Sequence, residues 1–244
     1  MNYMEVPVMS LIKPKRRRGP KLLWLILVIV LVVVAGAGYV YFIVNGVNSS
    51  DEMKAEYVDY LFYWQSADNP LYYYVRTTTV SRTSLVIFPI FATIQNSKEV
   101  LDPQLGADAV EAVQSWLGTS GDFSYYVNFT PDLIDALSSK LGVNASNPVE
   151  LIDAMALRGF KLFDYWKIND FVQTVKEYDV ASILTSEGIA VLLRRLGNSS
   201  RMTYKLETLT EFPMKISVGV GGETVSRMYL KPDSLETVKK ALAD

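Results

Sequence analysis

The chain has 244 residues, with 24 Lys and Arg against 26 Asp and Glu, and half of its residues are hydrophobic. It contains no histidine and no cysteine, which excludes a Ser-His-Asp or Cys-His nucleophile, a His-ligated zinc site, a histidine pH switch and disulfide bonds. The length predicts one folded domain of ordinary size and one further segment.

An uncharged apolar stretch of 23 residues, Leu22 to Val44, is the first predicted element. A helix of that length is about 34 Å long, enough to cross a hydrocarbon core of about 30 Å. Six basic residues precede the stretch, and acidic residues follow it from Asp51 onward. Because basic flanks favour the cytoplasm, the sequence predicts a single-pass protein of the cell membrane. Its tail, residues 1–21, is cytoplasmic, its span is 22–44, and the remainder is extracytoplasmic.

A cleaved signal peptide is the alternative reading of the same segment. Ala35-Gly36-Ala37 has the small residues of a cleavage site, whereas the apolar run continues past it from Tyr39 to Val44. In both interpretations the rest of the chain is exported.

The exported part of the chain is acidic. Without its first 21 residues the chain has 18 basic and 25 acidic residues, a net charge of −7. This negative charge argues against a nucleic-acid partner. The apolar span has the lipid bilayer as its partner.

The region after the span begins with a juxtamembrane connector, predicted over 45–70, in which Met53 to Trp64 has no assigned structure. Two stretches rich in β-branched and aromatic residues follow, Leu71 to Val80 and Ser84 to Ile94, and both are predicted strands. Pro89 within the second stretch indicates a sheet edge, a bulge or the end of the strand.

Helix caps and glycine stops delimit the remaining elements. They predict helices from Gly106 to Leu117, from Pro131 to Gly142, from Pro148 to about Arg158, from Thr185 or Ser186 to Gly197, and from Ser234 to Leu242. Alternating or β-rich patterns predict strands over Phe123–Phe129, Thr203–Leu209, Met214–Val220 and Thr224–Leu230. The last two strands are expected to pair through Gly219 to Glu223. We therefore expect an α/β domain over 71–244, with a mixed central sheet covered by helices.

The stretches "GADAVEAVQSWLG" and "FSYYVNFTPDLIDALSSKLGV", within Gly106–Val143, resemble the LytR-CpsA-Psr family of cell-envelope proteins. The family pattern is a short cytoplasmic tail, one transmembrane helix and an extracytoplasmic α/β domain. That domain transfers polymers from a polyprenyl pyrophosphate carrier to the bacterial cell wall. The resemblance implies the same topology and an envelope location for this chain.

The family's pyrophosphate site uses an Arg-Asp pair after a proline at the end of a core strand. The corresponding segment here reads "LVIFPIFATI", which places Ile90 and Phe91 at those positions. The resemblance therefore implies a binding or assembly module of the envelope without transferase chemistry. Its partner would be a polyprenyl-linked envelope polymer or another envelope protein. The alternative is an active phosphotransferase that uses magnesium and residues at other positions.

No spacing of residues selects a catalytic group, a metal site or a cofactor. Basic residues outside the tail are the candidate ligands for an anion, and no pattern ranks them. The candidates are Arg76, Arg82, Arg158, Lys167, Arg194 and Arg195. The adjacent Arg194 and Arg195 lie near the predicted end of a helix, where the helix dipole and packing of their aliphatic stems already account for them.

Overall fold

The computed structural model describes residues 20–66, 69–218 and 223–243. Most of the basic tail, residues 1–19, and the glycine-rich segment 219–222, which the sequence predicts to join two paired strands, lie outside the described residues. The chain divides into two compact units, Met1–Ile43 and Val44–Asp244, and each is described separately below.

The helices and strands are numbered in chain order. The helices are α1 Pro20–Asn48, α2 Asp51–Lys54, α3 Ala109–Leu117, α4 Pro131–Leu141, α5 Pro148–Arg158, α6 Asp164–Tyr178, α7 Ser186–Asn198 and α8 Pro232–Ala243. The strands are β1 Tyr57–Trp64, β2 Leu71–Thr78, β3 Arg82–Pro89, β4 Ala92–Thr93, β5 Phe123–Phe129, β6 Ser200–Lys205, β7 Met214–Val218 and β8 Glu223–Tyr229.

The first unit consists, in its described part, of residues 20–43 of helix α1, whose last five residues belong to the second unit. From Leu23 to Asn48 this helix is long and apolar enough to cross a membrane, and its large apolar side chains are exposed. A signal sequence near the N-terminus has the same character. The helix extends four residues beyond the predicted end at Val44, and it ends shortly before Ser50, whose side chain caps α2.

The second unit is built on a five-stranded mixed sheet with the order β5-β1-β2-β3-β6. The three central strands form an antiparallel meander, and β5 and β6 add to it in parallel on either side. Parallel neighbours need crossover connections, which the helices between these strands supply. The mixed sheet with covering helices confirms the predicted fold class in outline.

Strand β1 lies within the region predicted as a connector. All of its residues after Tyr57 are buried, and it pairs with β2 and β5 on its two sides. A strand covered on both faces has no alternation of polar and apolar residues. The stretch "YVDYLFYW" lacks that alternation, which is why its pattern gave no assignment. The folded domain therefore begins well before residue 71.

Each face of the sheet has its own apolar core. On β2, Val75 points to a core shared with Phe171 and Leu192, which helices α4 to α7 cover. The neighbouring Tyr74 points to the opposite core, which contains Trp116 and is covered by α3 and α8. The domain is thus a three-layer arrangement, and apolar burial on both faces supplies its main stabilisation.

The predicted helix boundaries agree with the caps. Thr130 and Asn147 accept hydrogen bonds from the backbone N–H groups of the first turns of α4 and α5. Gly118 and Gly142 end α3 and α4 in the left-handed conformation, which favours glycine. The predicted helix start at Gly106 is too early, because Pro103–Asp108 forms a 3-10 segment before α3.

The stretch predicted as one strand from Ser84 to Ile94 is divided. Strand β3 ends at Pro89, and the chain turns through Phe91, whose φ of 58° is positive. Strand β4 then enters a second, three-stranded sheet with the order β4-β8-β7. Strands β7 and β8 pair in antiparallel fashion, as predicted.

Helix α6 has no counterpart among the predicted elements. Phe163 precedes it without a capping hydrogen bond, so the usual start signal is absent. The start of the helix is held instead by Asp164, which is buried. The Asp164 carboxylate accepts two hydrogen bonds of 2.6 Å from Arg158 and one of 2.7 Å from the backbone N–H of Lys161.

We predict that Asp164→Asn lowers the free energy of unfolding by about 1.5–3 kcal/mol, because charge-assisted hydrogen bonds are lost in a partly buried site. The matched control is Asp170→Asn on the same helix, which breaks an exposed pair with Lys140 and costs about 1 kcal/mol or less. Denaturant unfolding followed by circular dichroism measures both. Equal effects would contradict a structural role for Asp164.

The same carboxylate predicts a dependence on pH. Burial raises the pKa of Asp164, but the bonds from Arg158 and Lys161 outweigh burial and hold the pKa below its ordinary value. The folded state therefore binds fewer protons at this residue than the unfolded state. Its stabilising contribution is present above about pH 4 and is lost as the pH falls through the lowered pKa. The pH dependence of unfolding should flatten in Asp164→Asn; an unchanged profile would contradict this assignment.

Candidate functional site

The six candidate cations do not converge on one site. Arg76 lies inside the domain opposite Asp59, its partner in the β1–β2 register. Its guanidinium is 3.0 Å from an Asp59 carboxylate oxygen, and it lies over the ring of Tyr57. Gln114 donates a further hydrogen bond of 2.7 Å to Asp59. Burial raises the pKa of Asp59, while Arg76 and Gln114 act in the opposite direction.

Three other candidates also stand apart from one another. Arg158 forms the ion pair with Asp164 described above. Arg82 donates a 2.9 Å hydrogen bond to the carbonyl of Ala241, near the end of α8. Lys167 is exposed on α6. Arg158 and Arg82 therefore connect secondary-structure elements.

Arg195 is a buried cation whose neighbours are backbone carbonyls. Its guanidinium donates a 2.6 Å hydrogen bond to Ala55 and longer ones to Glu52 and Met53, at the carboxyl end of α2. It also donates to the carbonyl of Thr77 on β2 at 3.3 Å. Carbonyl oxygens at the end of a helix carry partial negative charge and stabilise a cation. Arg195 therefore joins α7, α2 and β2.

Burial lowers the pKa of Arg195, and the opposing effects of Tyr60 and Asp122 are smaller. A guanidinium nevertheless stays protonated in proteins, because its ordinary pKa lies far above neutral pH. The hydrogen bonds described for Arg195 reach no carboxylate. Its positive charge is therefore balanced by dipoles and not by a full negative charge.

A surface pocket of about 270 Å³ opens beside Arg195. Helix α7 contributes neighbouring side chains to it, and the turn between β2 and β3 forms its other wall. The described lining residues are Met53, Thr78, Thr79, Ser81, Arg194, Arg195 and Asn198. We call this the arginine pocket.

Arg194 is the more accessible of the two arginines. It is half-buried, and its guanidinium donates to the side-chain carbonyl of Asn48, a neutral partner. Asn198 lies one helical turn further along α7, so its amide falls on the same side as Arg194. Thr79 and Ser81 are exposed in the turn and add hydroxyl groups.

The arginine pocket therefore combines two cations with neutral donors. None of its seven described lining residues is acidic. Such a set of groups complements an anion with several acceptor oxygens, since guanidinium groups bind carboxylate and phosphate with paired hydrogen bonds.

Sequence reasoning identified Arg194 and Arg195 as candidates but did not distinguish them from the other four. Their neighbours in the arginine pocket are more than a hundred residues away in the sequence, in α2 and in the β2–β3 turn. These residues come together because α7 packs beside α2 and the β2–β3 hairpin. A single sequence gives no signal of that contact. The predicted packing of the aliphatic stem applies to Arg195, which is buried. Its guanidinium bonds to carbonyls at the end of α2 and not at the end of its own helix.

The aromatic run at Tyr72 to Tyr74 belongs to the sheet. These three side chains are buried and divide between the two cores. Ile90 and Phe91 lie in the turn before β4, where the Phe91 backbone bonds to Leu101 and Met228. They help to connect the two sheets.

No family model matches the chain, and no curated protein matches it significantly. Several solved structures are similar at low identity. The Lin1025 protein from Listeria innocua is 12% identical with a TM-score of 0.45, and the match covers 76% of this chain and 96% of that one. The transcriptional regulator yvhJ from Bacillus subtilis is 16% identical with a TM-score of 0.42, covering 77% and 95%. The transcriptional regulator EF0465 from Enterococcus faecalis is 12% identical with a TM-score of 0.42, covering 78% and 87%.

These comparisons do not support the LytR-CpsA-Psr interpretation: no family model matches, and the similar structures that carry a functional name are named as transcriptional regulators. The envelope module, the transferase alternative and the polyprenyl-linked or other envelope partner were drawn from that interpretation, and we set them aside. The comparisons do not support the expectation that nucleic acid is not a partner either, and we set it aside as well. At these TM-scores, the similarity assigns no function to this chain.

We predict that Arg76→Met destabilises the fold by about 3–5 kcal/mol, because it leaves the Asp59 carboxylate buried without its cation. Lys140→Met is the control, since it removes a cation from an exposed pair and costs about 1 kcal/mol or less. Denaturant unfolding measures both variants. An Arg76→Met protein of unchanged stability would contradict the structural role of this arginine.

Proposed function

We propose that the folded domain binds a phosphate-bearing ligand in the arginine pocket. The observation that carries this proposal is the pairing of Arg194 and Arg195 in one pocket, surrounded by hydroxyl and amide donors, with no acidic side chain among the described lining residues. A phosphate group offers several acceptor oxygens and a negative charge, which this set of donors matches.

The two arginines have different parts in this proposal. Arg195 is held by backbone carbonyls on two elements, so it supplies a fixed positive potential and loses little freedom on binding. Arg194 is half-buried and can exchange its neutral partner Asn48 for a ligand oxygen. Asn198 and Ser81 supply neutral hydrogen-bond donors at the rim. Attraction to a cation in a partly buried site is stronger than at a fully exposed one.

The lining favours binding over catalysis. General acid–base chemistry needs a group that exchanges protons near neutral pH. The chain contains no histidine or cysteine, and the described lining offers hydroxyl, amide and guanidinium groups only, apart from Met53. We therefore propose binding and assign no acid–base step to the pocket.

We further propose that α1 anchors the chain as a single-pass membrane protein with its N-terminus in the cytoplasm. The apolar stretch continues past Ala35-Gly36-Ala37, and basic residues are concentrated before it. Both features favour a retained anchor over a cleaved signal sequence. The arginine pocket would then lie on the extracytoplasmic side.

We predict that the intact protein in zwitterionic detergent binds inorganic phosphate or a phosphate monoester at one site, measured by titration calorimetry. Arg194→Gln should weaken this binding about ten- to a hundredfold, because one charge-assisted contact is lost. Lys167→Gln removes the same charge from an exposed position outside the described pocket lining and should leave the affinity unchanged.

Equal effects of Arg194→Gln and Lys167→Gln would show that binding follows net charge, which would contradict the proposal. A DNA duplex, which also carries phosphates, is titrated in parallel. DNA binding that is stronger than phosphate binding and insensitive to Arg194→Gln would place the main ligand surface elsewhere and would also contradict it.

The topology is tested with single cysteines, because the native chain contains none. In intact cells, a membrane-impermeant maleimide should label Thr210→Cys directly and Ser10→Cys only after permeabilisation. An intact mass that includes residues 1–37 confirms retention of the anchor. Loss of that segment, or labelling of Ser10→Cys in intact cells, would contradict the proposed topology.

A further inference from the structure

The loop between α5 and α6 and the first turn of α6 together expose three large apolar side chains. Leu162 is 53% exposed, Phe163 is 76% exposed and Trp166 is 38% exposed. The rings of Phe163 and Trp166 lie 6.3 Å apart, so these side chains form a local apolar surface. We call these three residues the loop tip.

The loop tip is held outward by an ordered loop. Asp164 accepts hydrogen bonds from Arg158 and from the backbone of Lys161. Phe160 packs edge-on against Tyr165 with ring centroids 4.7 Å apart, and both contact the core. The loop tip is therefore exposed on an ordered loop and not on a flexible one. A rigid apolar projection pays little conformational entropy when it binds a partner.

The loop is also attached to the residue at which the folded domain meets the apolar segment. The Tyr165 hydroxyl donates a 3.2 Å hydrogen bond to the side-chain carbonyl of Asn48. Asn48 lies four residues after Val44, the end of the predicted span. These residues continue helix α1, so Asn48 lies about 6 Å beyond Val44 along the helix axis. If Val44 ends at a membrane surface, Tyr165 is within reach of that surface.

The residues beside the loop tip suit a lipid interface. Trp166 combines an apolar ring with an N–H donor, the kind of side chain that is enriched at the boundary between hydrocarbon and headgroups. Lys161 and Lys167 flank the tip and are exposed, so their ammonium groups can approach anionic headgroups. Asp164, the acidic residue between them, is buried against Arg158.

We propose that the loop tip inserts into the headgroup region of the membrane that α1 spans, so that the domain is held against the bilayer at a second point. This inference rests on the proposed single-pass anchor and is independent of phosphate binding. The partner is the lipid surface: its apolar boundary receives Leu162 and Phe163, and its anionic headgroups attract the two lysines.

The experiment uses the intact protein in vesicles of phosphatidylcholine with phosphatidylglycerol. Phe163→Cys carries a spin label, and its collisions with oxygen and with a water-soluble nickel complex are compared. The control is Val180→Cys, which is 91% exposed and follows the opposite end of α6. That helix has 15 residues, so the two positions are separated by about 22 Å along it.

The Phe163 label should be protected from the nickel complex and accessible to oxygen, and the Val180 label should remain accessible to the nickel complex. Vesicle flotation separates the two ways of failing. A protein that does not float overturns the anchor and this inference together. A protein that floats but leaves the Phe163 label as accessible to the nickel complex as the Val180 label overturns membrane contact by the loop alone.

Discussion

The buried guanidinium of Arg195 is the interaction on which the arginine pocket depends. It connects α7 to the end of α2 and to β2 through hydrogen bonds to backbone carbonyls. A buried charge is costly unless hydrogen bonds and opposite dipoles compensate it. Here carbonyl groups supply the compensation, so the positive charge remains available to act on the pocket beside it. The same residue therefore stabilises the start of the domain and, in the proposed function, attracts the anion to its surface.

The ion pairs of Arg76 and Arg158 have a different effect. Arg76 and Arg158 each face a buried carboxylate, Asp59 and Asp164 respectively. Their charges are neutralised in place, which leaves little potential for a ligand. A candidate list based on residue type alone treats all these arginines as equal. The partners of each arginine, which only the fold reveals, decide whether it is structural or available for binding.

Local signals in the sequence predicted much of the fold. The caps at Thr130 and Asn147 and the glycine after α3 act within a few residues, so a single sequence shows them. Strand β1 was missed because a strand buried on both faces has no alternation, and α6 because it begins without a cap. The sequence identifies Arg194 and Arg195 as candidate anion ligands. Their pocket, however, depends on contacts between residues more than a hundred positions apart in the sequence. The family interpretation depended on a short stretch of resemblance, and no family model supports it.

The most direct test of the arginine pocket is the location of a tetrahedral anion in crystals of the intact protein. Selenate is suitable because its selenium atom is found by anomalous scattering. We predict a selenate within hydrogen-bonding distance of the Arg194 guanidinium and the Asn198 amide, displaced by phosphate and absent in Arg194→Gln. An empty arginine pocket in crystals that bind selenate elsewhere on the protein would contradict the account.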